Sequence, residues 1–328
     1  METAAFLVHA RTPTYKRPDM LRRALESLQA QTHANWICDV YDDDREGAGR
    51  AVVETLADPR IRYTLNPSQN FASRNIDQCF TAQNPHGADY FCVVEDDNFL
   101  LPRFMEDNLR VAREEGVELI LRNQLIELGS GTPQARLSET GILDEMFAQG
   151  RYEPGQFRLS LIPGIGVSNG GLFWSRHAKS RLEIGYNCTA TLQEYLRTFS
   201  VWENIYVAME PLAVWAENGA QTTRDLGGTA GYLKRELDLK RAVQILQREA
   251  WALAGRDSQR DFLESARFRY PVALRARGLV KALITGRTGD HLGFKEKLEL
   301  AARGLLIRTA GRPEPELPSF IASRKAAA

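Results

Sequence analysis

Tyr90-Phe91-Cys92-Val93-Val94-Glu95-Asp96-Asp97 is an apolar run that stops on three consecutive carboxylates. Its first five residues read as a buried strand of the kind that fills parallel sheets. Trp36–Tyr41 repeats the arrangement and runs into Asp42-Asp43-Asp44. The carboxyl ends of parallel strands form the crevice in which open α/β sheets bind ligands. Three carboxylates crowded at such an end raise one another's pKa unless a cation or hydrogen-bond donor intervenes. A divalent metal answers that need for one of the two clusters. Mg2+ or Mn2+ typically takes one or two protein carboxylates and completes its shell with substrate phosphate oxygens.

Outward from these runs, short apolar segments alternate with helical patterns, which argues for βαβ units and a parallel sheet. Phe6–Ala10 reads as the first strand and Pro13–Arg17 as a turn. Pro18 suits the first turn of a helix whose Leu21, Ala24, Leu25 and Leu28 share one face. Ile61–Leu65 is a third strand, followed by the turn cluster Asn66–Asn70 and a helix over Ala72–Phe80. Pro102 opens a helix reaching Glu115, and Val117–Leu121 is another strand. The pattern then weakens, with one short helix around Ile142–Phe147, a Pro/Gly-rich loop over Leu161–Gly171 and a strand at Leu172–Trp174. Thr191–Val201 reads as a helix and Tyr206–Trp215 as a strand broken by Pro211. Past Gly227-Gly228 the spacing is helical to the end.

The chain has 328 residues, and Lys+Arg 42 balance Asp+Glu 42. The balance hides an asymmetry: residues 1–230 hold 22 basic against 31 acidic residues, residues 231–328 hold 20 against 11. The longest charge-free stretch, Leu159–Ser175, is punctuated by Pro163, Gly164, Gly166, Gly170 and Gly171, so it reads as a loop and not a membrane span. The N-terminal residues lack the basic and apolar regions of a signal peptide. Cys38, Cys79, Cys92 and Cys188 show no paired spacing, which disfavours structural zinc and a disulfide framework. The five histidines show no HExxH-type spacing, and no GxSxG, Walker or GxGxxG motif is present. These readings point to a cytoplasmic protein.

Five segments together resemble the nucleotide-sugar half of a family 2 glycosyltransferase of GT-A fold. They are Pro13-Thr14-Tyr15-Lys16-Arg17, Ser27–Thr32, Tyr41-Asp42-Asp43-Asp44, Asn66 with Ala72-Ser73-Arg74-Asn75, and Val93–Asp97, which is similar to the DxD region. The resemblance implies a Rossmann-like, mostly parallel central sheet flanked by helices, with a C-terminal helical appendage. It implies that Pro13, Thr14 and Tyr15 lie along the nucleotide, that Asp43 accepts a hydrogen bond from the base, and that Arg74 and Asp96 stand on the donor side. Asp97 would ligate Mn2+ or Mg2+, with Glu95 where the family usually has its first Asp. Asn169, Gly170 and Gly171 resemble the acceptor-side segment, the glycines permitting close backbone approach to substrate. Glu194 occupies the position of the general base, Gln193 standing where the family has an acid, and Glu203 is the alternative base.

The implied reaction is inverting transfer of one sugar from a nucleotide diphosphate sugar, UDP most of all, to a glycan or lipid-linked acceptor in surface polysaccharide or glycoconjugate synthesis. A metal on the diphosphate stabilises the charge of the leaving group, and a carboxylate takes the acceptor's proton. The absence of a QxxRW stretch argues against a processive synthase. Expected boundaries are 1–226 for the catalytic domain (1–115 donor half, 116–226 acceptor half) and 227–328 for the basic helical region. Leu274, Leu279, Val280, Leu283 and Ile284 interleave with Arg275, Arg277 and Lys281, a pattern that suits either a peripheral membrane contact or packing on the catalytic domain. Nucleic acid is disfavoured, because aromatics are sparse among these basic residues. Two other readings stay open: a non-catalytic nucleotide-sugar-binding or scaffold subunit, motivated by Glu95 and Gln193, and, less favoured, a nucleotidyltransferase.

Overall fold

The computed structural model describes residues 6–217, 230–285 and 291–327. The N-terminal half runs β1 (Val8–Thr14), α1 (Pro18–Gln29), β2 (Trp36–Asp42), α2 (Ala48–Leu56), β3 (Ile61–Leu65), α3 (Phe71–Asp77) and β4 (Tyr90–Val93). There follow β5 (Phe99–Leu100), α4 (Phe104–Glu115), β6 (Leu119–Leu128), β7 (Arg136–Leu137), β8 (Gly150–Tyr152), α5 (Pro154–Arg158), β9 (Leu172–Ser175), α6 (Ala190–Phe199) and β10 (Ile205–Ala216). Five helices complete the chain: α7 (Ala230–Leu253), α8 (Arg256–Glu264), α9 (Val272–Leu283), α10 (Phe294–Ala310) and α11 (Leu317–Ala326).

One sheet of ten strands has the order β3-β2-β1-β4-β9-β6-β10-β5, with β7 on β6 and β8 on β10. Strands β3, β2, β1 and β4 are parallel, as are β6 and β10. The antiparallel β9 is inserted between these two blocks. Alternation along β1 explains the two layers. Val8 and Ala10 join the core under α1, α2 and α4. His9 and Arg11 face the opposite layer, where Phe147, Phe157, Phe262 and Phe268 pack. All four cysteines are buried thiols.

Several elements differ from the sequence reading, each for a visible reason. The first strand continues through Arg11 to Thr14, because buried Arg11 donates to the carbonyls of Cys79, Thr81 and Gln83 at 2.6–3.0 Å. Pro13 falls beyond the last β4 pairing, Arg11 with Val93, so its missing N–H removes no bond on that side. Strand β6 extends to Leu128 through buried Arg122, Asn123 and Gln124. No helix forms at Ile142–Phe147. The Ile142 and Leu143 amides instead donate to Gln124 O and Asn123 Oδ1. Pro211 does not end β10 but coincides with a register shift between Ala208 and Ala213.

The expected boundary at Gly227-Gly228 lies outside the described residues. The helical region that follows packs on the sheet-bearing part of the chain. Ala242, Leu246 and Ala250 of α7 share a core with Leu192, Leu196 and Phe199 of α6 and with Leu317, Phe320 and Ile321 of α11. Leu279 joins the layer that holds Ile162, and the Gly278 Cα sits where an added Cβ would meet Ile162 O at 2.5 Å. Arg275 is buried and donates to Phe262 O. Among the described residues no helix is long and apolar enough to cross a membrane.

Candidate active site

The two acidic clusters meet different fates. Asp42-Asp43-Asp44 is neutralised by backbone N–H groups and side-chain donors of its own loops, which is how buried carboxylates are normally satisfied. Asp42 accepts from the amides of Asp44 (2.9 Å) and Gly49 (3.1 Å) and from Tyr63 Oη (3.0 Å). Asp44 accepts from the Glu46 amide at 3.2 Å and the Ala48 amide at 3.5 Å, at the start of α2. Asp43 accepts from Asn66 Nδ2 (3.0 Å) and from the amides of Asn70 (2.6 Å) and Phe71 (2.7 Å). Phe71 has φ 58, the left-handed conformation that turns the start of α3 onto this carboxylate. Asp43 therefore organises the 66–71 loop at the edge of the cleft, and Arg74 is exposed on α3 beyond it.

Glu95-Asp96-Asp97 is built differently. Asp96 is almost fully buried and accepts from Thr14 Oγ1 (2.8 Å) and the Tyr15 amide (3.3 Å), locking the turn after β1 to the end of β4. Arg17 then bridges two acids: Nη2 lies 2.8 Å from Asp96 Oδ1 and Nη1 lies 2.6 Å from Asp97 Oδ2. Glu95 points toward Asn169, whose Nδ2 donates to its Oε1 at 3.2 Å. Withdrawal from water, then the charges of Asp97 and Glu194, push the Glu95 carboxyl up to about 7. Glu194, 99 positions away in sequence on α6, is near enough for its charge to act on Glu95. Glu95 and Asp97 offer two carboxylates at one strand end, and Mg2+ or Mn2+ typically takes only one or two from protein.

The acceptor wall is supported from beneath. Arg197 is buried on α6, donates to Asn169 Oδ1 at 3.0 Å, pairs with Asp77 at 2.7 Å and lies over the Phe80 ring at 3.9 Å. Asp77 in turn accepts from the amides of Ile184 and Gly185, both at 2.9 Å. Gln193 is fully buried and donates to Ser73 O at 2.9 Å, tying α6 to α3. A carboxylate could not make that bond, which explains the amide at this position. Glu203 is occupied elsewhere, accepting from the amides of Lys179 (2.7 Å) and Ser180 (2.8 Å). The two glycines serve packing against β6: a Cβ on Gly171 would stand 2.5 Å from Arg122 O, and one on Gly170 would stand 2.9 Å from Gln124 Nε2.

One cluster had no linear signal. His9, Asp39 and His86 gather, and Asp39 Oδ2 lies 2.9 Å from Nε2 of each histidine. Among the described residues this is the group of three whose donor atoms could hold a metal ion. Arg11 opposes that use, because its Nε donates to His9 Nδ1 at 3.4 Å. That bond leaves the proton of a neutral imidazole on Nε2, and it sets a guanidinium against any incoming cation. His9 is five residues before Thr14 on β1, roughly 17 Å away along the strand. The cluster belongs to the far end of the sheet and not to the acid-lined cleft.

With the cleft described, the comparisons can be placed on it. The model of the family described as "Glycosyl transferase family 2" matches residues 11–169, from the strand before the Thr14–Arg17 turn to Asn169. Over this segment, just under half of the chain, the protein is similar to glycosyl transferase family 2. The whole chain superposes on S. aureus TarS with TM-score 0.53 and 11% identity, and spans 53% of that structure's length. Against TarS 1-349 in complex with UDP-GlcNAc the TM-score is 0.56 at 11% identity, covering 100% of this chain and 88% of the other. TarS 1-349 in complex with UDP gives 0.53 at 12%, with the same coverage. At such identities the likeness is one of fold, and it extends through the helical C-terminal region. No curated protein sequence matches the chain.

The matched segment therefore contains the whole Thr14–Asp96–Arg17–Asp97 constellation and ends on Asn169. Sequence reasoning put the acid cluster at the end of β4 and expected Glu194 on a helix, where α6 carries it. It assigned no role to Arg17, Arg197 or Asp77. Arg17 stood inside a recognised turn, but nothing local says that Lys16, at φ 55, turns its neighbour back over the strand ends.

Proposed function

We propose that this protein is a glycosyltransferase that moves a single sugar from a nucleotide diphosphate sugar, a UDP-sugar in the first instance, to a glycan or lipid-linked acceptor with inversion. The observation that carries the reading is the acid cluster Glu95–Asp97 at the end of β4, with Glu95 joined through Asn169 to Arg197 on α6, the helix that also carries Glu194. Pro13–Tyr15 and the Asp43-anchored loop flank the nucleotide, with Asp43 receiving the base and Arg74 facing the phosphates. Asp97 and Glu95 would hold Mn2+ or Mg2+, which supplies Lewis-acid stabilisation of the departing diphosphate. Glu194 accepts the proton of the acceptor hydroxyl as its oxygen bonds to the anomeric carbon, and the bond to the diphosphate breaks on the opposite face. Asn169 orients Glu95, and Arg197 holds Asn169 in place.

The scaffold alternative loses half its motivation, since Gln193 has a structural duty to Ser73. Titration of UDP, GDP, CDP and TDP with and without Mn2+ tests the donor reading. Metal-dependent binding of one of them supports it, and binding of none overturns it.

We place the enzyme in the cytoplasm, with catalysis confined to 1–226 and residues 227–328 as a docking region. Membrane contact falls to α10 instead of α9. The inner face of α9 is filled with buried Ala276, Leu279, Val280 and Ala282. The helix α10 buries Leu300, Gly304 and Ile307 yet turns Phe294 (84% exposed), Leu298, Leu305 and Leu306 outward. Lys295, Lys297 and Arg308 flank that face against one exposed acid, Glu299, so its net positive charge suits an anionic bilayer.

A further inference from the structure

Arg17 sits at the N-cap of α1, directly before Pro18 and directly after Lys16 in the left-handed conformation. Its guanidinium is divided between two carboxylates, Nη2 to Asp96 and Nη1 to Asp97. Asp96 is the structural partner, with two further donors from Thr14 and Tyr15. Asp97 is the carboxylate assigned above to the metal. A full positive charge therefore sits in direct contact with the intended ligand of a cation. A metal ion approaching this site alone meets that charge and must share or take its carboxylate. A nucleotide diphosphate changes the balance, because its oxygens offer a guanidinium a second, planar, bidentate anion. The Arg17 side chain is about one third exposed, so it has a free flank from which to turn.

We propose that Arg17 couples metal binding to donor binding: it neutralises Asp97 in the empty enzyme and yields it when the donor diphosphate arrives. The inference rests on the metal role assigned to Asp97. Its thermodynamic content is a positive linkage between Mn2+ and nucleotide, equal in both directions. Arg17 is thus a positioning residue that keeps the acid pair gathered without letting bare metal occupy it.

The test is Mn2+ affinity, read by electron paramagnetic resonance of free Mn2+, with and without UDP, on wild type, Arg17→Gln and Arg17→Lys. Arg17→Gln should bind bare Mn2+ roughly tenfold more tightly, and the UDP-induced gain in Mn2+ affinity should shrink by a similar factor. UDP binding without metal should weaken in the same variant. Arg17→Lys keeps the charge but not the fork, and should fall between the two. Circular dichroism melting shows that each variant is folded. Wild-type bare-metal affinity and wild-type coupling in Arg17→Gln would overturn the inference while leaving the metal site standing. A wild-type enzyme in which UDP and Mn2+ do not promote each other's binding would overturn both.

Discussion

Asn169 donates to Glu95 across the strand ends at 3.2 Å while its own carbonyl oxygen accepts from buried Arg197 at 3.0 Å. The amide thereby joins the acid cluster of β4 to helix α6, the element that carries Glu194. It fixes which way Glu95 faces.

Glu194→Gln removes the proton acceptor and keeps the side chain's size. Turnover should fall by 10²–10⁴-fold, the usual range for a general base, with nucleotide affinity unchanged. Single-turnover transfer from the donor identified by titration measures this. Undiminished turnover would remove Glu194 from the chemistry.

Gln193→Glu should destabilise the fold by about 1–3 kcal/mol, since a buried carboxylate would face Ser73 O with no proton to donate. Urea unfolding compares it with wild type. A variant as stable as wild type would show that the tie between α6 and α3 is dispensable.

Burial lowers the His9 pKa below its ordinary 6.5, with the Arg11 charge acting in the same direction against Asp39. The folded state therefore binds fewer protons here than the unfolded state below about pH 6.5. The stability tied to neutral His9 is present above that pH and is lost as the pH falls below it. Asp39, itself held low chiefly by its hydrogen bonds to His9 and His86 against the opposing effect of burial, adds a second loss in more acidic solution. Melting temperature should drop from pH 7.5 to pH 5.5 in wild type and drop less in His9→Gln. Equal slopes would show that the cluster does not titrate with folding.

Phe294→Glu with Leu298→Glu should leave the fold and nucleotide binding unchanged, because both side chains point to solvent. Flotation with vesicles containing phosphatidylglycerol should lose the double variant and retain wild type. Co-flotation of both proteins would move the contact off α10, and flotation of neither would end the membrane proposal.

Much of the donor half was legible because its apolar runs stop abruptly on acids, and a strand end has few other ways to look. The β1 turn and the acid cluster of β4 followed from order and spacing. What escaped depends on partners distant in sequence. Strand β6 runs through Arg122, which finds Asp107 and Asn108 across the layer at 2.6–3.0 Å, so polar residues there looked like a loop. The three acids after β2 resembled a cation site, yet their donors are amides of the following loops, and linear sequence does not display where a backbone N–H points. The two histidines of the far cluster lie 77 positions apart in the chain, with Asp39 between them.

Calorimetric titration of UDP into wild type and Asp97→Ala, with and without Mn2+, tests the central claim most directly. The account predicts that Mn2+ tightens UDP binding to wild type by at least roughly tenfold and has no effect on Asp97→Ala. Metal-dependent UDP binding of wild-type strength in Asp97→Ala would contradict it.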